Sequence, residues 1–144
     1  MINDFFQWLL TGTVSVRTEK LSRAAQKGNP IAQLKLGICY LKGDGVSPDT
    51  NESIRWLRRA ARQGDKEAMF CLGRTHASSF GRLRKPELAY AWFEMAAFHG
   101  HKKAAKELSE IVKTMTSEQI EEGKVLSREM DHRGQGDSSL SFTK

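Results

Sequence analysis

The chain has 144 residues, 39% hydrophobic and 28% charged, with a formal net charge of +6. That length fits one domain of about 150 residues, and the composition excludes wholesale disorder. No window approaches the ~18 consecutive apolar residues of a membrane span, Asp4 and Gln7 spoil Met1–Leu10 as a secretory signal, and two cysteines cannot build a disulfide framework. A cytoplasmic location is expected, with Cys39 and Cys71 as unbridged, buried thiols.

The sequence repeats itself every 36 residues. Ala24-Ala25 recurs as Ala60-Ala61 and Ala96-Ala97, Gly28 as Gly64 and Gly100, and Ala32 as Ala68 and Ala104. Leu36-Gly37 recurs as Leu72-Gly73, and Trp56 as Trp92. A fixed period of this length marks an array of stacked helical units.

Taken in chain order, residues 1–16 carry Phe5, Phe6, Trp8, Leu9 and Leu10 and are expected to cap the open N-terminal edge. A membrane-surface anchor is the alternative, but the segment lacks the basic polar face such anchors carry. Arg17–Lys27 reads as the second helix of an incomplete unit. Pro30–Leu41 follows as a first helix, with Ala32, Leu36, Gly37 and Tyr40 on one stripe. Gly43-Asp44-Gly45-Val46 makes a tight turn with Val46 tucked beneath it, and Asn51–Gln63 is the second helix.

Gly28, Gly64 and Gly100 are expected to end helices in the left-handed conformation. Asn29 and Asp65 are placed to cap the helices that follow. Gly37 and Gly73 inside helices imply contacts with no room for a methyl group, since glycine there costs ~1 kcal/mol against alanine. After a third first helix, Ala104–Thr114, the run Thr116-Ser117-Glu118-Gln119 forms a capping box. It opens a closing helix, Glu118–Met130, expected to cover Met95 and Phe98. The tail from 131 to 144 is expected to be disordered.

The pattern Ala32-x-x-x-Leu36-Gly37-x-x-Tyr40-x-x-Gly43-x-Gly45-Val46, then Trp56-x-x-x-Ala60-Ala61-x-x-Gly64, resembles the Sel1-like repeat, a relative of the tetratricopeptide helical repeats. The resemblance covers roughly Lys20 to Leu108. It implies an all-α fold: a short right-handed α/α solenoid of two full repeats plus half repeats, capped at both ends. The second copy departs from the pattern at His76, Ser79 and Arg82, and Leu83 is expected to take over the packing of the missing valine.

The resemblance also implies which faces meet partners. First helices line the concave side, so the groove positions are Ile31, Leu34, Ile38 and Leu41, then Glu67, Phe70, Arg74 and Ala77, then Lys103, Lys106, Glu110 and Lys113. The groove grades from apolar to basic, which suits an amphipathic helix or an acidic-apolar peptide. The alternative is that residues 5–10 cover Ile38 and Leu41 within the chain. On the opposite side Arg55, Arg58, Arg59 and Arg62 form a basic stripe, either a solvated face or a polyanion site. Residues 1–116 carry a net +8 and residues 117–144 a net −2.

Chemistry-bearing motifs are missing from the reading. His99-x-His101 lacks a third ligand for zinc, His76 reads as a core residue, and no phosphate loop, dinucleotide fingerprint or nucleophile elbow occurs. The expected function is a non-catalytic adaptor without cofactor or metal, holding a peptide or helix of another protein in its groove. Polyanion or nucleic-acid binding through the basic stripe and self-association, as a monomer or weak homodimer, are the alternatives.

Overall fold

The 36-residue period resolves into helices, and side chains of Asn29, Asp49, Asp65 and Thr116 cap the starts of four of them. The computed structural model describes residues 16–78 and 83–135. Among them are seven helices and no strand: α1 Val16–Gln26, α2 Pro30–Lys42, α3 Thr50–Arg62, α4 Lys66–Ser78, α5 Pro86–Phe98, α6 Ala104–Val112 and α7 Ser117–Gln135. The chain divides into two compact units, Met1–Ala68 and Met69–Lys144. The expected N-terminal cap over residues 1–15 and the departures at Ser79 and Arg82 lie outside the described residues.

In the first unit, Asn29 Oδ1 accepts from the Ala32 amide at 3.0 Å and starts α2, while Pro30 occupies the first turn. Gly43, at φ 72°, ends α2 with its amide on the Cys39 carbonyl at 2.8 Å. Val46 is buried under the turn as expected. Asp49 then caps α3, accepting from the Glu52 amide at 3.1 Å.

Helix α2 packs between α1 and α3. Ala25, Ala32, Leu36 and Trp56 form the core, flanked by Leu21, Ala24 and Tyr40. A Cβ built on Gly37 would lie 2.8 Å from Leu57, so α2 and α3 approach only because that position has no side chain. The bare backbone there also accepts a 2.7 Å hydrogen bond from Ser53 Oγ. Buried Gln33 donates to the Ala25 carbonyl at 3.1 Å, and Gln63 donates to Gln33 at 2.8 Å and to the Gly28 carbonyl at 2.9 Å. Two of these bonds reach carbonyls at Ala25, in the last turn of α1, and at Gly28, just beyond it.

The second unit repeats the main contact with a larger partner. A Cβ on Gly73 would lie 2.5 Å from the Phe93 ring, and Gly73 and Phe93 stand 36 residues after Gly37 and Leu57. The backbone follows the period as well: Asp49 donates to the Tyr40 carbonyl at 3.0 Å, and Lys85 to the His76 carbonyl at 3.1 Å. Helix α5 packs against α6 and α7. A Cβ on Gly123 of α7 would lie 2.7 Å from Tyr90. The capping box forms reciprocally, Thr116 donating to Gln119 Oε1 at 3.0 Å and Gln119 to Thr116 Oγ1 at 3.2 Å.

Three expectations are corrected. Helix α7 runs through Gln135, five residues beyond its predicted end. Asp131, His132 and Arg133 contain no helix breaker, and the basic pair suits the negative end of the helix dipole. Phe98 is 78% exposed, so α7 does not cover it; α7 meets α5 through Tyr90 instead. Helix α6 starts at Ala104 as expected and ends at Val112, two residues before the predicted Thr114. His101 stands where Asn29 and Asp65 cap the earlier helices, and α6 has no side-chain cap hydrogen bond.

Gly73→Ala is expected to destabilise the protein. Overpacking against Phe93 costs about 1–3 kcal/mol, against a helix-propensity gain of ~1 kcal/mol. A lower urea midpoint, partly restored by adding Phe93→Leu, checks the contact.

Candidate functional site

Two of the five exposed large apolar residues among the described residues lie on one face of α2. Ile31 is 58% exposed and Leu41 37%, with Leu34 and Ile38 half-buried between them. Their spacings of three and four put all four on one stripe. The opposite face, with Ala32, Leu36 and Gly37, is buried against the core. Lys35 and Lys42 are exposed on the same helix, and no acid lies between Pro30 and Lys42. The row is therefore apolar with a cationic edge.

In the second unit the predicted groove residues take different places. Arg74 is exposed on α4, and Lys103 and Lys106 are exposed at the start of α6. Glu110 and Lys113 pair with each other at 2.8 Å, and that bond lowers the Glu110 carboxyl below its ordinary range. Glu67, at the end of the first unit, is exposed, and Ala77 is half-buried.

Phe70 is a correction: it is 6% exposed and belongs to the core. Its ring lies 5.8 Å from Phe93 and stacks on the His101 imidazole at 4.1 Å with an interplanar angle of 17°. Periodicity placed Phe70 in phase with Leu34, but the imidazole from the α5–α6 turn closes over it.

All four arginines of the basic stripe are exposed on α3. Trp56, 4% exposed, lies beneath them, with the Arg59 guanidinium 4.8 Å and the Arg55 guanidinium 5.8 Å from the indole centroid. Arg55 also pairs with Glu52 at 3.2 Å. Partial desolvation pulls the Arg58 and Arg62 guanidinium pKa values down, and the like charges of Arg58 and Arg59 add to the effect at Arg62. Since Trp56 is buried, this face offers no ring on which a base could stack.

The sulfur and imidazole groups do not assemble into a reactive set. Cys39 and Cys71 are half-buried, less enclosed than expected, and neither is in a disulfide. Burial pushes the Cys39 thiol up, and nearby Asp44 pushes it further, so thiolate character is suppressed. His76 is buried, its Nδ1 donating to the Leu83 carbonyl at 3.0 Å, and Leu83 is half-buried. The His99 ring donates to the Met95 carbonyl at 2.9 Å, closing the end of its own helix. Among the described residues no three of His, Cys, Asp and Glu come together as a metal set, and no helix is long and apolar enough to cross a membrane. Gln33, Gln63 and Asp49 were not singled out from sequence. A polar residue in a helical run reads as surface until its partner helix is in place.

A family model for the Sel1 repeat matches residues 30–65 and 66–101. The chain belongs to the Sel1 repeat family. Sel1 repeat proteins generally mediate protein–protein contacts. A curated relative, chitin synthase regulator SKT5 of Saccharomyces cerevisiae, is 35% identical over 96 residues, covering 65% of this chain and 14% of the relative. Chitin synthase regulatory factor 3 of Schizosaccharomyces pombe is 29% identical over 96 residues, covering 66% of this chain and 10% of the relative. The chain thus spans about a tenth to a seventh of the curated relatives it matches.

Among solved structures, a protective antigen of uropathogenic Escherichia coli with an SLR fold aligns with 98% of this chain and 34% of its own, at TM-score 0.75 and 24% identity. A Sel1 repeat protein from Oxalobacter formigenes aligns with 63% of this chain and 37% of its own, at TM-score 0.58 and 31% identity. The all-α repeat fold expected from the sequence is the fold of these proteins.

Phe70→Ala is expected to cost about 3–5 kcal/mol as a core truncation, while Arg74→Ala stays within about 0.5 kcal/mol of wild type. Paired urea titrations separate the two outcomes.

Proposed function

We propose that this Sel1 repeat chain is a non-catalytic adaptor that docks a helix or peptide of a partner protein along α2. The observation that carries the reading is the pair of large apolar residues, Ile31 and Leu41, left exposed on one face of a helix otherwise packed into the core. Contiguous exposed apolar surface marks an interaction site more often than chance. Lys35 and Lys42 beside the row favour a partner with apolar anchors and flanking acids. In the second unit Arg74, Lys103 and Lys106 are exposed bases of the same sign.

The curated relatives support a regulatory role over a catalytic one, because both are named as regulators of another enzyme. Applied to this chain, the adaptor's partner is a component of an enzyme assembly, and the helix pairs supply a rigid scaffold for holding it. Recognition follows the helix-in-groove mode, with side chains three and four residues apart serving as anchors.

The test is affinity capture with wild-type protein and with Ile31→Glu combined with Leu41→Glu. Both positions are exposed, so the double variant is expected to keep the wild-type unfolding free energy to within about 0.5 kcal/mol. It is expected to lose at least about tenfold in affinity for the captured protein, roughly 1.4 kcal/mol. Undiminished capture by a folded double variant removes α2 as the docking face. Recovery that disappears after nuclease treatment assigns the partner to nucleic acid instead.

A further inference from the structure

Two solvent faces of opposite charge stand on two helices that the adaptor reading does not use. On α3, Arg55, Arg58, Arg59 and Arg62 cover one face over about 10 Å, at ~1.5 Å per residue. On α7, Glu118, Glu122, Val125 and Glu129 recur at i, i+4, i+7 and i+11, and all four are exposed. That stripe runs about 16 Å along the helix. Among the described residues, Glu118, Glu122 and Glu129 enter no ion pair, and Arg58 and Arg59 have no carboxylate partner. Glu121, on the flank of the stripe, is already held by Lys124 at 2.7 Å, with Arg128 close by.

We propose that the arginine face of α3 docks the glutamate face of α7 in a second copy of this chain. The charge pattern carries the assignment. Guanidinium forks match carboxylates bidentately, and each helix offers the other the same spacing of one turn. The helix ends agree as well. The arginines crowd the C-terminal half of α3, with Arg59 and Arg62 in its last turn, and Glu118 lies in the first turn of α7. Antiparallel docking therefore brings opposite dipole ends together along with opposite side chains.

Two further features fit that occupant. Trp56 holds the Arg59 guanidinium against its ring at 4.8 Å. Stacking uses the face of the guanidinium and leaves its edge donors available, with less side-chain freedom to lose on binding. Val125, exposed in the middle of the acidic stripe, meets the methylene stems of the arginines. A nucleic-acid occupant is less suited, since the aromatic ring on this face is buried. Contacts built from exposed ion pairs are individually weak and screened by salt, so the association is reversible, concentration-dependent and strongest at low ionic strength.

The test is sedimentation of the full chain at about 20 mM and about 300 mM salt, a range over which the screening length shrinks severalfold. Wild type is expected to exceed the monomer mass at low salt and return to it at high salt. Arg58→Glu with Arg59→Glu, and separately Glu118→Lys with Glu122→Lys, are each expected to weaken self-association at least about tenfold. Mixing the two reversed proteins is expected to restore it, because each then carries the complement of the other. Circular dichroism of each variant reports folding, and restoration on mixing requires both to be folded. A wild type that stays monomeric at low salt overturns the proposal. So do folded, reversed variants that self-associate as before, or that fail to associate when mixed. A monomeric wild type that binds polyglutamate or duplex DNA assigns the arginine face to a different polyanion and overturns it as well.

Discussion

Helix contacts too close for a methyl group hold each unit together. Gly37 against Leu57 and Gly73 against Phe93 are the same contact met twice, 36 residues apart. Each glycine gives up ~1 kcal/mol of helix propensity, and the approach it permits lets a large side chain pack directly on backbone. It also exposes the Gly37 carbonyl to Ser53, which turns a bare stretch of helix into a buried hydrogen bond. Gly123 against Tyr90 applies the same solution outside the period, which is how the closing helix α7 joins a core it does not match in sequence.

The caps show how one repeat position governs two levels of structure. Asn29 and Asp65 accept from amides three residues on and start their helices at once. His101 occupies the third equivalent position, and α6 begins three residues after it without a side-chain cap. The imidazole stacks on Phe70 instead. A change from a short acceptor to a flat ring thus shortens one helix and removes an aromatic residue from the surface. Secondary structure and surface chemistry change together because the same side chain can satisfy only one of them.

That coupling explains what was legible in the sequence. Period and small-residue spacing identify the core directly: Leu36, Trp56, Ala60, Leu72 and Trp92 are buried where their phase puts them. Glycine turns and the capping box are local, so they could be read from a few neighbouring residues. The surface is harder, because phase gives the direction a residue points and not what lies over it. Ile31 and Leu41 stay exposed while Phe70, in the same phase as Leu34, is enclosed. Phe98 is left uncovered because α7 packs on Tyr90, a long-range choice that no local pattern encodes. The Gln33–Gln63 bond has the same character: thirty residues separate two amides that only the assembled helices bring together.

Family membership fixes the scaffold, and the function resides in the faces the scaffold leaves open. In the first unit two such faces differ in their chemistry. The α2 row is apolar with two lysines, so a partner docked there as proposed would be held chiefly by burial, which governs how long it stays. The α3 face is four arginines over a buried indole, so the acidic face proposed to dock there would be attracted electrostatically, which governs how fast it arrives. Salt acts on the second and leaves the first nearly untouched. A partner docked on α2 would keep most of its affinity as ionic strength rises, while association of a second copy through α3 would weaken. The separation of apolar and cationic surfaces onto adjacent helices therefore makes ionic strength a direct reading of which face is in use.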